Sequence, residues 1–460
     1  VGVSEPASVV ATRRRDRRID LGLALLVLLV SVPVVQELRA QQASRLALTA
    51  AIWDDHSLRI DGYPIGVDRA EVDGHIYSDK APGQPVLAIP AYAVYRTLGG
   101  EPARVFREQG NLGLWAVSAW SSALPAAGLV VLLRRAAARD NPAVAPQVAL
   151  ALAFGTLLLP FSTLLFGHVL ATAAAFAGWY VATRHEPSSR ALVGSGLLLG
   201  LSVLVEYTMV PVAAAVAAHA LWVHRRRGLL VVAAGIPAAI GLLAYQWAAF
   251  GSPFTFSYSQ SAFRAAADDK GLRDLHLPLA ERAFKAIAGE RGLLVVSPVL
   301  LLAIVGMVIA IRAARGPRRS GLIAAAVAAG SVIAVQMAWS NPTGGDSPGP
   351  RYATAAAAFL LPGLVVAWQR WRLASLALAT IGTLIMFAAT FTDPIEARDS
   401  SNAIGIWLGK LFRGEWTDTL FSQALGRNSA SVLVIPLALG GAALVASLLR
   451  GSSTAAPPTS

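Results

Sequence analysis

The chain has 460 residues, of which 55% are hydrophobic and only 14% charged. A soluble protein of this length carries about 25% charged residues and divides into about three domains. Here apolar runs recur from Leu21 to Leu449, which excludes that class. The net charge of +12 falls in short clusters between the runs, the pattern of cytoplasmic loops rather than of a phosphate-tracking face, so nucleic acid is excluded as a partner. With no cysteine in the chain, disulfides, thiolate metal sites and a cysteine nucleophile are excluded as well.

Residues 1–18 form a basic N-terminal segment containing Arg13, Arg14, Arg15, Arg17 and Arg18. The apolar run Leu21–Val35 follows it. Polar Gln36 and Glu37 come next in place of a small-residue cleavage site, so the run reads as an uncleaved anchor. A spanning helix needs about 20 mainly apolar residues. The pattern predicts an all-α, polytopic domain over 19–450 with about 12 spans, at 19–40, 111–133, 145–166, 168–183, 191–206, 208–223, 228–249, 292–312, 320–339, 353–369, 373–391 and 431–449. A thirteenth segment, Gln84–Leu98, is shorter and holds Pro85 and Pro90. If it does not cross, every short arginine cluster (Arg134/Arg135/Arg139, Arg184/Arg190, Arg225–Arg227, Arg312/Arg315/Arg318/Arg319, Arg370/Arg372, Arg450) falls on the cytoplasmic side, as the positive-inside bias requires. Gln84–Leu98 is then a membrane-surface or half-inserted helix, and both termini are cytoplasmic. Four polar stretches face outward: a large first loop at 41–110, then 250–291, 340–352 and 392–430. Residues 451–460 read as a disordered tail.

Chemistry concentrates in the first outer loop. Asp54, Asp55, Asp61, Asp68, Glu71, Asp73 and Asp79 stand among His56, His75, Arg59, Arg69 and Lys80. Carboxylates, imidazoles and cations at a membrane surface are the parts needed to activate a hydroxyl and hold a phosphate, although surface ion pairs of the same composition are common and mostly idle. In SDKAPG (Ser78–Gly83) a lysine and a carboxylate precede Pro82 and the apolar helix. That places an ammonium at headgroup level; the plainer alternative is a helix start capped by Asp79. His168 and Glu206 fall at outer helix junctions, where a buried ionisable group calls for a partner or a function. In NPTGGDSPGPRY (Asn341–Tyr352), Arg351 offers a guanidinium fork suited to phosphate, beside Tyr352. No phosphate-binding glycine loop, dinucleotide fingerprint, zinc-protease helix or serine-hydrolase elbow is present.

These strings resemble the bacterial GT-C glycosyltransferases, polytopic enzymes that use polyprenyl-phosphate sugars, and within them the branch of protein mannosyltransferases and lipid A aminoarabinose transferases. SDKAPG is similar to the acidic-Lys-Pro motif closing that family's first loop, and SLRID places Asp61 where relatives carry a first-loop aspartate. GHVLA (Gly167–Ala171), VEYT (Val205–Thr208) and GPRY (Gly349–Tyr352) resemble further family strings. The resemblance implies a GT-C-like fold and a multi-pass protein of the cell membrane with an extracytoplasmic active site. It implies transfer, with inversion, of a hexosyl or pentosyl group from a polyprenyl-phosphate donor to an extracytoplasmic glycan, lipid or protein. Asp61 is then the expected base, with Asp54, Asp55 and Asp79 as alternatives. Lys80, Arg351, Tyr352, His168, Glu206 and His75 are the expected donor-phosphate residues. No metal is required, and the acidic loop leaves room for a divalent cation. The competing classes are a transporter or flippase of a lipid-linked saccharide and a non-catalytic assembly subunit. Transporters place charges near the bilayer midplane in repeated halves, whereas here the ionisable groups gather at one face and no repeat is evident, which favours the enzyme.

Overall fold

The computed structural model describes residues 7–106, 111–261, 280–339, 341, 343–345, 347–395, 402–425 and 441. The expected span 431–449, apart from Gly441, and the tail 451–460 lie outside them. A chain in hydrocarbon must close its backbone hydrogen bonds internally, and helices dominate accordingly. They are α1 (Ala7–Ser31), α2 (Ala40–Asp54), α3 (Gly83–Thr97), α4 (Pro102–Val105) and α5 (Leu112–Ala137). Then come α6 (Ala145–Phe154), α7 (Leu158–Phe161), α8 (His168–Ala182), α9 (Ser189–Val205), α10 (Val210–His224) and α11 (Leu229–Phe250). The second half holds α12 (Ala280–Ala288), α13 (Leu293–Val296), α14 (Val299–Ala313), α15 (Gly316–Ala338) and α16 (Thr354–Phe359). It ends with α17 (Leu361–Arg370), α18 (Arg372–Phe391), α19 (Ala403–Arg413) and α20 (Leu420–Leu425).

Among the described residues four helices are long and apolar enough to cross a membrane: Leu112–Ala137, Tyr207–Phe250, Gly316–Ala338 and Arg372–Phe391. There are six if the bent pairs Ala280–Val296 with Val299–Ala313 and Arg351–Phe359 with Leu361–Arg370 count as one span each. The Tyr207–Phe250 run is itself folded. Arg225 takes a left-handed φ of 53°, and a Cβ added to Gly228 would stand 2.4 Å from the Ala220 carbonyl oxygen, where a straight helix would separate the two residues by about 12 Å. Helices α10 and α11 therefore form a hairpin. A helix or bent helix pair stands at each of the first eleven expected spans, but α6, α8 and α9 have 10, 15 and 17 residues, short of the bilayer requirement. Helix α8 begins and α9 ends at the buried polar residues His168 and Glu206, where the chain enters protein rather than lipid.

The bundle is apolar outside as well as inside. Leu229, Val232, Ile236, Ile240, Leu243 and Trp247 are exposed along one side of α11, at the three- and four-residue spacing of a helix face. The opposite side packs small residues, Ala234 and Ala238, onto Gly196 and Gly200 of α9. Small residues between helices and large apolar ones facing out are the arrangement of a membrane bundle.

Two short antiparallel ladders qualify the all-α expectation. Strand β1 (Val34–Val35) pairs with β4 (Asp418–Thr419), tying the end of α1 to the C-terminal region. Strands β2 (Arg69–Val72) and β3 (His75–Ser78) form a hairpin. Its turn residues Asp73 and Gly74 both have positive φ, 50° and 78°, the conformation that an Asp-Gly pair supplies to a tight hairpin. The stretch 41–110, expected as one polar loop, is instead built on α2, in which all residues from Gln41 to Ala51 are buried. Segment 84–98 is a helix as expected, but Pro82, not Asp79, occupies its N-cap position.

Candidate active site

The hairpin register sets the site. Arg69 pairs with Ser78, so the residue before β2, Asp68, lies beside the residues after β3, Asp79 and Lys80. The Lys80 ammonium is buried and sits 2.7 Å from Asp68 Oδ1 and 3.0 Å from Asp79 Oδ1. A strap from the segment after α11 closes over it. Ser257 Oγ donates to the Asp79 carbonyl at 2.8 Å, Ser261 Oγ donates to Asp79 Oδ2 at 3.3 Å, and the Tyr258 ring lies 5.5 Å from the ammonium. Burial alone would push the Lys80 amine down, but Asp68 and Asp79 overcome this and hold it above its ordinary range. Burial also raises both carboxyls; Lys80 outweighs it at Asp68, which is held low, and offsets it only partly at Asp79, which stays raised. The ion pair proper is Asp68 with Lys80, and Asp79 is the carboxyl nearer to neutrality.

Three further elements bring charge to the same place. Arg45, on the buried face of α2, meets Glu206 at the end of α9 at 2.5 Å. His168, first residue of α8, faces the same carboxylate with Nδ1 3.8 Å from Glu206 Oε1. Gly167 is what permits this approach, since a Cβ there would lie 2.5 Å from Glu206 Oε1. Arg351 donates to Gln41 Oε1 and, at 3.1 Å, to the Tyr352 hydroxyl, and the Tyr352 and His168 rings meet edge to face at 5.9 Å. Coulombic influence of Arg351 reaches Asp68 and Lys80, so the groups form one electrostatic cluster. Within it Arg45 Nε and Nη1, Arg351 Nε and both His168 ring nitrogens are buried and have no hydrogen-bond partner among the described residues. A buried unpaired donor costs about 1–3 kcal/mol. Three of the five atoms are arginine donors, and together with the imidazole they make a site shaped for an anion with several acceptor oxygens.

Of the expected residues, Asp79, Lys80, His168, Glu206, Arg351 and Tyr352 thus converge. Asp61, His75 and Asp55 do not join them. Asp61 is exposed, accepting from the Ile76 amide at 2.5 Å and facing His75 Nδ1 at 3.0 Å. Asp55 accepts from the Tyr63 hydroxyl at 2.8 Å. Asp54 binds Tyr92 and Arg96 at 2.7 and 2.8 Å and so fastens α3 to α2. Sequence reading missed Arg45, Gln41 and Asp68 as site residues. An arginine inside the apolar run of α2 was the available signal for Arg45; nothing local distinguished Asp68 from the other loop aspartates. Among the described residues no three His, Asp or Glu side chains gather as metal ligands.

This helical bundle, with its first extramembrane segment folded back over a cluster of cations, shares its fold with a solved structure. ArnT from Cupriavidus metallidurans, bound to undecaprenyl phosphate, superposes with a TM-score of 0.52 at 13% identity, over 94% of this chain and 75% of that one. The oligosaccharyltransferase AglB from Archaeoglobus fulgidus, in complex with an inhibitory peptide and a dolichol-phosphate, gives 0.46 at 12% identity, over 98% of this chain and 57% of that one. No protein-family model matches the sequence, and no curated protein matches it.

Proposed function

We propose that the protein is a membrane glycosyltransferase that moves a sugar from a polyprenyl-phosphate donor to an acceptor on the extracytoplasmic side of the cell membrane. The observation that carries this reading is the cluster of buried Lys80 and Arg45 with half-buried Arg351, whose two arginines keep unpaired donors among the described residues. It has the charge and hydrogen-bonding capacity to receive the phosphate that leaves when a lipid-linked sugar is transferred. The fold shared with ArnT, crystallised with undecaprenyl phosphate, supports the same donor class.

In the proposed reaction the acceptor hydroxyl oxygen attacks the anomeric carbon from the face opposite the phosphate, the carbon–phosphate-oxygen bond breaks, and the configuration inverts. The hydroxyl proton passes to a carboxylate, and polyprenyl phosphate departs onto Lys80 and Arg351. Asp61 is the proposed base. It is exposed, and it is anchored at Ile76, four residues before Lys80. Asp68 and Asp79 serve Lys80 as counter-ions, and Asp55 stays with Tyr63.

Transfer or hydrolysis of a radiolabelled polyprenyl-phosphate sugar by the purified protein tests the proposal. Lys80→Ala and Arg351→Ala are expected to lower turnover at least about 100-fold, the scale of losing one transition-state charge contact, and Asp61→Ala by a similar factor. Turnover that survives Lys80→Ala at the wild-type rate rejects the site. Movement of the intact lipid-linked sugar across vesicles without release of lipid phosphate identifies a transporter instead.

A further inference from the structure

A cavity of about 330 Å³, apolar inside with a basic rim, opens at the opposite end of the helices from the candidate active site, between the ends of α5 and α8 and the start of α15. Its rim carries Arg139, Arg184 and Arg318 against one carboxylate, Asp140. Asp140 is engaged by Arg318 at 2.8 Å. Arg139 and Arg184 have no carboxylate at ion-pair distance among the described residues. The Arg139 guanidinium lies 3.6 Å from the Tyr180 ring and donates to the Tyr180 carbonyl at 3.0 Å; Arg184 approaches the same ring at 5.3 Å. Both guanidiniums gather on one aromatic ring, and Asp140, the carboxylate that tempers Arg139, is itself engaged by Arg318. His219, buried in the wall, bonds the Ser320 hydroxyl through Nδ1 at 2.9 Å and leaves Nε2 without a hydrogen bond. The floor is apolar, with Trp179, Leu322 and Leu361.

We infer that this cavity binds a phosphate group, carried either by an anionic phospholipid headgroup or by free phosphate. Fixed guanidiniums suit phosphate oxygens, and a basic pocket between helix ends lies where lipid headgroups are found. The apolar floor continues that match for a lipid, whose chains run down the wall while its phosphate stays at the rim. The inference does not rest on the glycosyl-transfer reading, because the two sites occupy opposite ends of α8 and share no residue.

The test uses the full chain in a neutral detergent. Thermal stability and native mass spectrometry are measured with phosphatidylglycerol, with phosphatidylcholine of the same acyl chains, and with inorganic phosphate. Phosphatidylglycerol is expected to be retained and to stabilise the protein, and phosphatidylcholine to bind at least about fivefold more weakly. Arg139→Gln and Arg184→Gln each weaken phosphatidylglycerol about fivefold, the loss of one interfacial cation, and an unfolding midpoint in lipid-free detergent equal to that of the wild type reports that each variant is folded. Protection by inorganic phosphate that is lost in the same variants, without lipid retention, assigns the site to free phosphate. Equal binding of the two lipids, or glutamine variants that bind as the wild type does, overturns the inference. Sugar transfer, read separately, stays unchanged in these variants.

Discussion

Asp61 and Asp79 are both first-loop aspartates, yet their surroundings drive them apart. At Asp61 desolvation is the largest single influence and raises the carboxyl, but the Ile76 amide, the hydrogen bond and charge of His75, and Arg59 together outweigh it and hold the group below its ordinary value of 3.8. A carboxyl depressed on folding contributes stability above the unfolded value that is lost as pH falls through the lower folded one. As the proposed base, Asp61 is ionised throughout the neutral range, so its acid limb in kcat/KM lies below pH 3.8. Asp79 is displaced upward by burial, with Lys80 pulling only part way back. A pH–rate profile therefore shows no limb from Asp61 above about pH 5, and any acid limb nearer neutrality disappears in Asp79→Asn, not in Asp61→Asn. A limb near pH 6 removed by Asp61→Asn contradicts this assignment.

At the scale of elements, glycine decides how closely the helices approach. Where α14 crosses α17, a Cβ on Gly306 would lie 2.0 Å from the Gly363 carbonyl oxygen, and one on Gly363 would lie 2.0 Å from that of Ala303. Backbone cannot give way as a side-chain tip can, so Gly306→Ala must part the two helices. The expected cost is about 1–3 kcal/mol, the usual range for overpacking, read as a lower unfolding midpoint in a denaturing-detergent titration. Gly330 of α15 has open space around its Cβ position, and Gly330→Ala leaves the midpoint unchanged or raises it slightly. The bends belong to the same scale. The 95° break before α14 falls at Ser297–Pro298 and the 58° break before α17 falls ahead of Pro362, where proline removes a helical hydrogen bond.

For the whole molecule, the compartment of the site follows from the distribution of arginines. The hairpin carrying Lys80 and the segment before Arg351 are proposed to face outward, and the α10–α11 turn with Arg225–Arg227 inward. Because the chain has no cysteine, single substitutions report position directly. Glu71→Cys and Thr343→Cys are expected to react with a membrane-impermeant maleimide in intact cells, and Arg226→Cys only after permeabilisation. Labelling Glu71→Cys and Thr343→Cys from opposite sides would dismantle the site, since Lys80 and Arg351 could not then share a lipid phosphate.

Hydropathy and short strings such as SDKAPG made the helical membrane class and six of the converging residues legible, because burial in lipid leaves a mark at every position of a helix. The ion pair between Asp68 and Lys80 depends on hairpin register, and the meeting of Arg45 with Glu206 depends on packing across 161 positions of chain. Asp61 and Asp68 carry the same side chain a few residues apart, one exposed and one in the buried cluster. A carboxylate's neighbours across the fold, which no local pattern encodes, were decided by tertiary structure alone.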